Sequence, residues 1–193
     1  MEEKTASRNR SSIMGSSPDR PVPIGVPTKV TTERGYFVEI RVLEIVRGKD
    51  ARDRIKAKGM CDEPPKAGFE YVLARIRFGY SRKAKGFEEP SNAYVISEKG
   101  FSAASGDGKT EYEILSVLRQ PQPQLIDTPI PLGTSREGWV ILQVPEDEKE
   151  PLLAFHREYA HSNYVLLHQW GPIWLKLHSF DPMGINSSCQ DCC

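Results

Sequence analysis

Gly138-Trp139-Val140-Ile141-Leu142-Gln143-Val144-Pro145 is the stretch on which the fold turns. It is a short apolar run rich in β-branched residues, opened by a glycine and stopped by a proline, and it reads as a central strand. Gly138 allows a close approach where the chain enters the sheet, and Trp139 covers the edge of the core. Pro145 ends the hydrogen bonding, and Glu146-Asp147 keeps the following turn in solvent.

Working outward, the same period recurs. From Phe69 to Tyr80, Val72, Ala74, Ile76 and Phe78 share one face and Arg75 and Arg77 the other. From Tyr36 to Val46 the alternation Tyr36, Val38, Ile40, Val42 slips by one residue, because Leu43 and Ile45 continue the apolar series; a bulge near Val42-Leu43 reconciles the halves. Shorter strands are expected at 28–32, 92–96, 112–118, 152–155, 164–167 and 173–177, with a further apolar point at Phe101. Residues 102–109 form a loop, and 121–131 are too proline-rich for a central strand. The one helix expected is Lys49 to Lys58, whose only inward pair at helical spacing is Ala51 and Ile55. Many short strands with turns between them and a single short helix predict an all-β, antiparallel, immunoglobulin-like β-sandwich.

Residues 1–22 hold almost no large apolar side chain and read as a disordered arm; the sandwich spans 23–180, and 181–193 form a flexible cysteine-containing tail. Lys+Arg and Asp+Glu both total 26, a balance that argues against a dedicated nucleic-acid binder. No apolar run is long enough to span a bilayer, and Met1 to Arg20 lacks the apolar stretch of a secretory leader. Cys189, Cys192 and Cys193 crowd the end of the chain and Cys61 stands alone, so the core holds by burial and not by disulfide staples.

The order of several pieces is familiar. Pro23-Ile24-Gly25 precedes Tyr36-Phe37-Val38-Glu39-Ile40, which runs into Ile45-Val46-Arg47-Gly48. Pro64-Pro65 leads to Gly68-Phe69-Glu70-Tyr71-Val72-Leu73-Ala74-Arg75-Ile76-Arg77. Pro131-Leu132-Gly133 then precedes Glu137-Gly138-Trp139 and the central strand. Across residues 22–178 the chain resembles the telokin-like, immunoglobulin-fold domains of unknown function found in bacterial lipoproteins and secreted proteins. The resemblance implies a sandwich and export, with no catalytic residues to carry over.

Candidate chemistry is sparse. His156, His161, His168 and His178 fall near Cys189, Cys192 and Cys193, and imidazole with thiolate suits zinc. A loose tail with adventitious metal affinity explains the same residues, and no metal site is assigned. Cys61 has no local base, and Gly106-x-Gly108-Lys109 is not set between a buried strand and a helix as a phosphate loop would be. Arg47, Lys49, Arg52, Arg54, Lys56 and Lys58, joined by Arg82, Lys83 and Lys85, make a basic stretch that could attract anionic lipid or polymer, or simply form a solvated face. Tyr36, Tyr71, Trp139 and Trp170 could line a groove, or pack in the core.

The expectation is a non-catalytic, exported or cell-surface binding module. No cofactor and no membrane span are expected, and its partner is a protein or cell-envelope component. An intracellular accessory domain with a zinc- or redox-active cysteine tail is the alternative.

Overall fold

The computed structural model describes residues 14–32, 35–57, 64–83, 92–112, 122–156 and 171–178. Two four-stranded sheets face each other. The first has the order β1 (Thr28–Thr31), β2 (Tyr36–Arg47), β3 (Phe69–Lys83), β8 (Thr134–Pro145). The second has the order β10 (Ile173–Lys176), β9 (Leu152–Phe155), β5 (Phe101–Ala104), β6 (Glu111–Tyr112), and β4 (Ala93–Val95) pairs with β7 (Pro129–Pro131) in a small ribbon. All the strand pairs are antiparallel. The fold is therefore an all-β sandwich with, among the described residues, one α-helix, α1 (Gly48–Ala57).

The alternation seen in the sequence places the core. Val38, Ile40 and Val42 of β2, Val72, Ala74, Ile76 and Phe78 of β3, and Val140, Leu142 and Val144 of β8 point between the sheets. There they meet Phe101, Ala103, Leu153, Phe155, Ile173 and Leu175 of the second sheet. Phe78 stacks on Tyr94 with centroids 5.2 Å apart and meets Phe155 edge-on at 5.6 Å, which ties the ribbon and both sheets together. The register of β2 against β3 shifts between Val42 and Glu44, where the phase slip of the sequence required a bulge. A second shift, between Phe37 and Val38, leaves Ser81 unopposed on β3.

β8 is buried on both faces over Val140–Val144 because α1 covers the outer side of the first sheet. Ala51 and Ile55 sit with Val46, Tyr71, Leu73 and Ile141 in a second apolar cluster, with Trp139 against it. Asp50 lies in the first turn of the helix and Arg54 and Lys56 in the last, matching the helix dipole.

Two expectations are revised. The arm expected over 1–22 includes a docked stretch. Val22 N–H donates to Trp174 C=O at 2.8 Å, Lys176 N–H to Val22 C=O at 2.9 Å, and Trp174 N–H to Gly15 C=O at 2.9 Å. Val22 is buried in the core, and Pro18 occupies the space a Cβ on Gly108 would need. Burial of one valine and pairing with the β10 edge suffice to order a segment whose composition reads as coil. The loop placed at 102–109 begins only at Ser105, since Phe101–Ala104 pairs with β9. Pro129–Pro131 is a strand of a two-stranded ribbon, where proline is tolerated, in keeping with a stretch too proline-rich for a central strand. Residues 164–167, the tail 181–193 and most of the strand expected at 112–118 lie outside the described residues.

Candidate functional site

Among the described residues, the outer face of the first sheet is covered by α1 at one end and open at the other. Along the open part, strand register lays out rows of side chains: Glu44, Arg75 and Trp139; then Arg41, Arg77 and Glu137; then Glu39, Gly79 and Ser135, with Lys29 of β1 opposite Glu39. Arg75 bonds Glu137 at 2.6 Å and reaches Glu44 at 4.0 Å. Arg77 bonds Glu137 at 2.8 Å, and Arg54 of the helix bonds Glu44 at 2.7 Å. The Arg54 guanidinium also lies over the Trp139 ring, 5.7 Å from its centroid. Arg41 is different: among the described residues it has no ion-pair or hydrogen-bond partner, and its Nε, like those of Arg52 and Arg75, is buried without an acceptor.

One row on from Arg41, where Glu39 stands opposite it, the glycine at position 79 leaves a gap in the face. A hollow of about 430 Å³ opens there, lined by Lys29, Phe37, Glu39, Ser81, Thr134 and Ser135 among others. Ser81 Oγ donates to Phe37 C=O at 3.1 Å, so the unopposed residue of the bulge ties the rim of the hollow to β2.

The residues singled out in the sequence scatter. Tyr36 faces the core and Tyr71 lies under α1, so with Trp139 they line no common groove; Trp170 is outside the described residues. Within the basic stretch, Arg47 bonds Glu70 and Glu148 C=O, Lys49 bonds Asp53, and Arg54 bonds Glu44. Three of its nine cations are therefore locally answered, while Lys58, Lys85 and the side chains of Arg82 and Lys83 lie outside what the structure describes. Gly106 and Gly108 belong to the hairpin loop between β5 and β6. There Asp107 accepts from Ser105 Oγ at 2.6 Å and from Lys109 N–H at 3.1 Å, and these bonds hold its carboxyl down to about 2. Such a loop is braced by its own carboxylate and sits beside Glu148 and Glu150, so it offers no phosphate cradle.

His156 and His178 are described; His161, His168, Cys61, Cys189, Cys192 and Cys193 lie outside the described residues. His156 Nε2 is 2.7 Å from Ser102 Oγ, and the His156 backbone N–H donates to Gly100 C=O, which fixes the end of β9 against β5. Burial pushes the imidazole below its ordinary range, partly opposed by Glu111. His178 is likewise pushed down, chiefly by burial, and approaches Glu150 at 3.8 Å. Among the described residues no group of three or more His, Cys, Asp or Glu could hold a metal ion, and no helix is long and apolar enough to cross a membrane.

The open face was only half visible in the sequence. The arginines of β3 are plain in the alternation, but the missing partner of Arg41 and the gap at Gly79 depend on the pairing of three strands.

No protein-family model matches the chain, and no curated protein matches it. Solved structures do. A secreted protein of Mycobacterium tuberculosis, MPT63, is 13% identical over 81% of this chain and 97% of its own, with a TM-score of 0.49. The yjhA protein of Bacillus subtilis is 12% identical over 80% and 98%, with a TM-score of 0.49. An uncharacterized β-sandwich protein of Clostridium difficile is 11% identical over 81% and 94%, with a TM-score of 0.41.

Proposed function

We propose that this chain is a non-catalytic binding module of the cell exterior, using the open outer face of its first sheet. The observation that carries the reading is the state of that face. Arg54, Arg75 and Arg77 form ion pairs with Glu44 and Glu137, while Arg41 has no partner among the described residues and stands one row from the hollow, on the far side of Glu39. Two arginines opposite one another across β2 and β3 repel, and a buried unbonded Nε costs about 1–3 kcal/mol. A face shaped for stability alone would place a carboxylate or an apolar residue at position 41. The placement outside the cytoplasm rests on the motif order along residues 22–178, which resembles exported telokin-like domains.

The experiment is site-directed photo-crosslinking in the native host, combined with fractionation. A photo-reactive residue in place of Ser135, on the rim of the hollow, is compared with one in place of Lys99, which does not line it. The expected result is a discrete adduct from position 135 alone, in the envelope or exterior fraction. No adduct at 135 would remove the binding role. Recovery of the chain only in the cytosol would remove the export role and favour an intracellular accessory domain.

A further inference from the structure

We infer that Arg41 and the hollow floored by Gly79 form a site for an extended acidic segment of a partner protein, an Asp or Glu carboxylate on Arg41 and an apolar side chain on Phe37. The inference deepens the binding role proposed above and rests on it.

Charge points to the occupant's sign. On this part of the face Arg41, Arg54, Arg75 and Arg77 stand against Glu44 and Glu137, a surplus of positive charge, while Lys29 and Glu39 offset each other in register. The surplus is concentrated at Arg41, because the other three guanidiniums are already engaged. Its Nε is buried, which narrows the side-chain freedom left to be lost on binding, and a guanidinium is suited to a two-point hydrogen bond with a carboxylate.

Shape points to an extended segment. Phe37 and Arg41 lie on the same face of β2, four residues apart, or about 13 Å at roughly 3.3 Å per residue. The glycine gap lies diagonally between them, and Ser81, Thr134 and Ser135 line its wall with hydroxyls that can meet a passing backbone. A peptide with an acidic residue and an apolar one four positions apart spans the same distance in the extended form. Glu39 on the rim disfavours a dianion such as phosphate more than it does a single carboxylate.

The test uses the full 193-residue chain, labelled with nitrogen-15, and follows the arginine Nε–H signals by nuclear magnetic resonance. Three probes are titrated: a capped heptapeptide with Glu and Leu four positions apart, the same peptide with Gln for Glu, and inorganic phosphate. The expected result is a saturable shift of the Arg41 signal with the acidic peptide only. Arg41→Gln should bind about tenfold more weakly with a melting point equal to or above the parent's, and Phe37→Ala should also weaken binding, while Arg54→Gln binds as the parent does. Equal shifts with the Gln peptide, a response to phosphate alone, or no response to any probe would each overturn the inference. If the adduct at position 135 persists in the native host in those cases, the binding face stands and only the acidic chemistry falls. If the adduct is also missing, the binding role falls with it.

Discussion

Gly138→Ala is the substitution whose cost follows most directly from the structure. A Cβ built at position 138 would lie 2.6 Å from Leu125 Cβ, 2.7 Å from Leu125 N and 2.7 Å from Pro123 C=O. Two of the three contacts are backbone, so no rotamer change relieves them. The segment 123–125 must lift away from β8. Doing so stretches the Trp139 N–H to Pro123 C=O hydrogen bond, now 3.2 Å, and draws fully buried Leu125 out of the core. Overpacking of this kind costs about 1–3 kcal/mol and the weakened hydrogen bond about 1 kcal/mol, so a loss of about 2–4 kcal/mol is expected. For a chain of this size that corresponds to a fall in Tm of roughly 4–16 °C. Gly79→Ala is the matched control. Its Cβ would meet Ser135 Cβ at 3.6 Å and Glu39 Cβ at 3.8 Å, ordinary contacts, so stability should stay within about 0.5 kcal/mol of the parent. Urea unfolding followed by tryptophan fluorescence, with thermal melts beside it, measures both. A Gly138→Ala variant that unfolds at the parental midpoint would refute the reasoning, as would a Gly79→Ala variant that loses as much.

Other perturbations separate the two faces and the two ends of the molecule. Val140→Asp puts an unpaired carboxylate between the sheets and should prevent folding, whereas Trp139→Asp, on the outer face, should leave a folded protein with a lower Tm; circular dichroism distinguishes them. Deleting residues 1–22 removes Val22 from the core and uncovers the β10 edge, and should lower the urea midpoint. His156 is held below its ordinary pKa mainly by burial, so its neutral form is favoured in the folded state. The unfolded chain therefore takes up the proton first. Stability from this group is present above about pH 6.5 and is lost as pH falls from there through the folded value. His156→Gln should flatten the urea midpoint between pH 7.5 and 5.5 relative to the parent, and an unchanged slope would count against the assignment.

Much of the sandwich was legible because burial writes itself into period two. The inner residues of β2, β3 and β8, the bulge at Val42-Leu43 and the inward pair Ala51 and Ile55 all follow from alternation or helical spacing. The close approach at Gly138 was legible too, since a glycine at the mouth of a central strand has few other uses. The docking of residues 15–22 was not, because it depends on a parallel pairing with Leu175, from the far end of the chain, and on one valine. Nor was the site at Arg41. Composition counts its charge, but only the register of β2 against β3 shows that Arg77 and not a carboxylate stands opposite it.

That edge pairing has a consequence for synthesis. Val22 leaves the ribosome long before Trp174, Leu175 and Lys176, to which it bonds or bridges. The second sheet thus cannot close along this edge until β10 has been made, and Val22 waits in solvent until then. Non-local pairings of this kind slow folding and leave nascent edges open. A nascent chain arrested before Ile173 should therefore expose β9, with its four buried residues, to chaperones or to neighbouring chains.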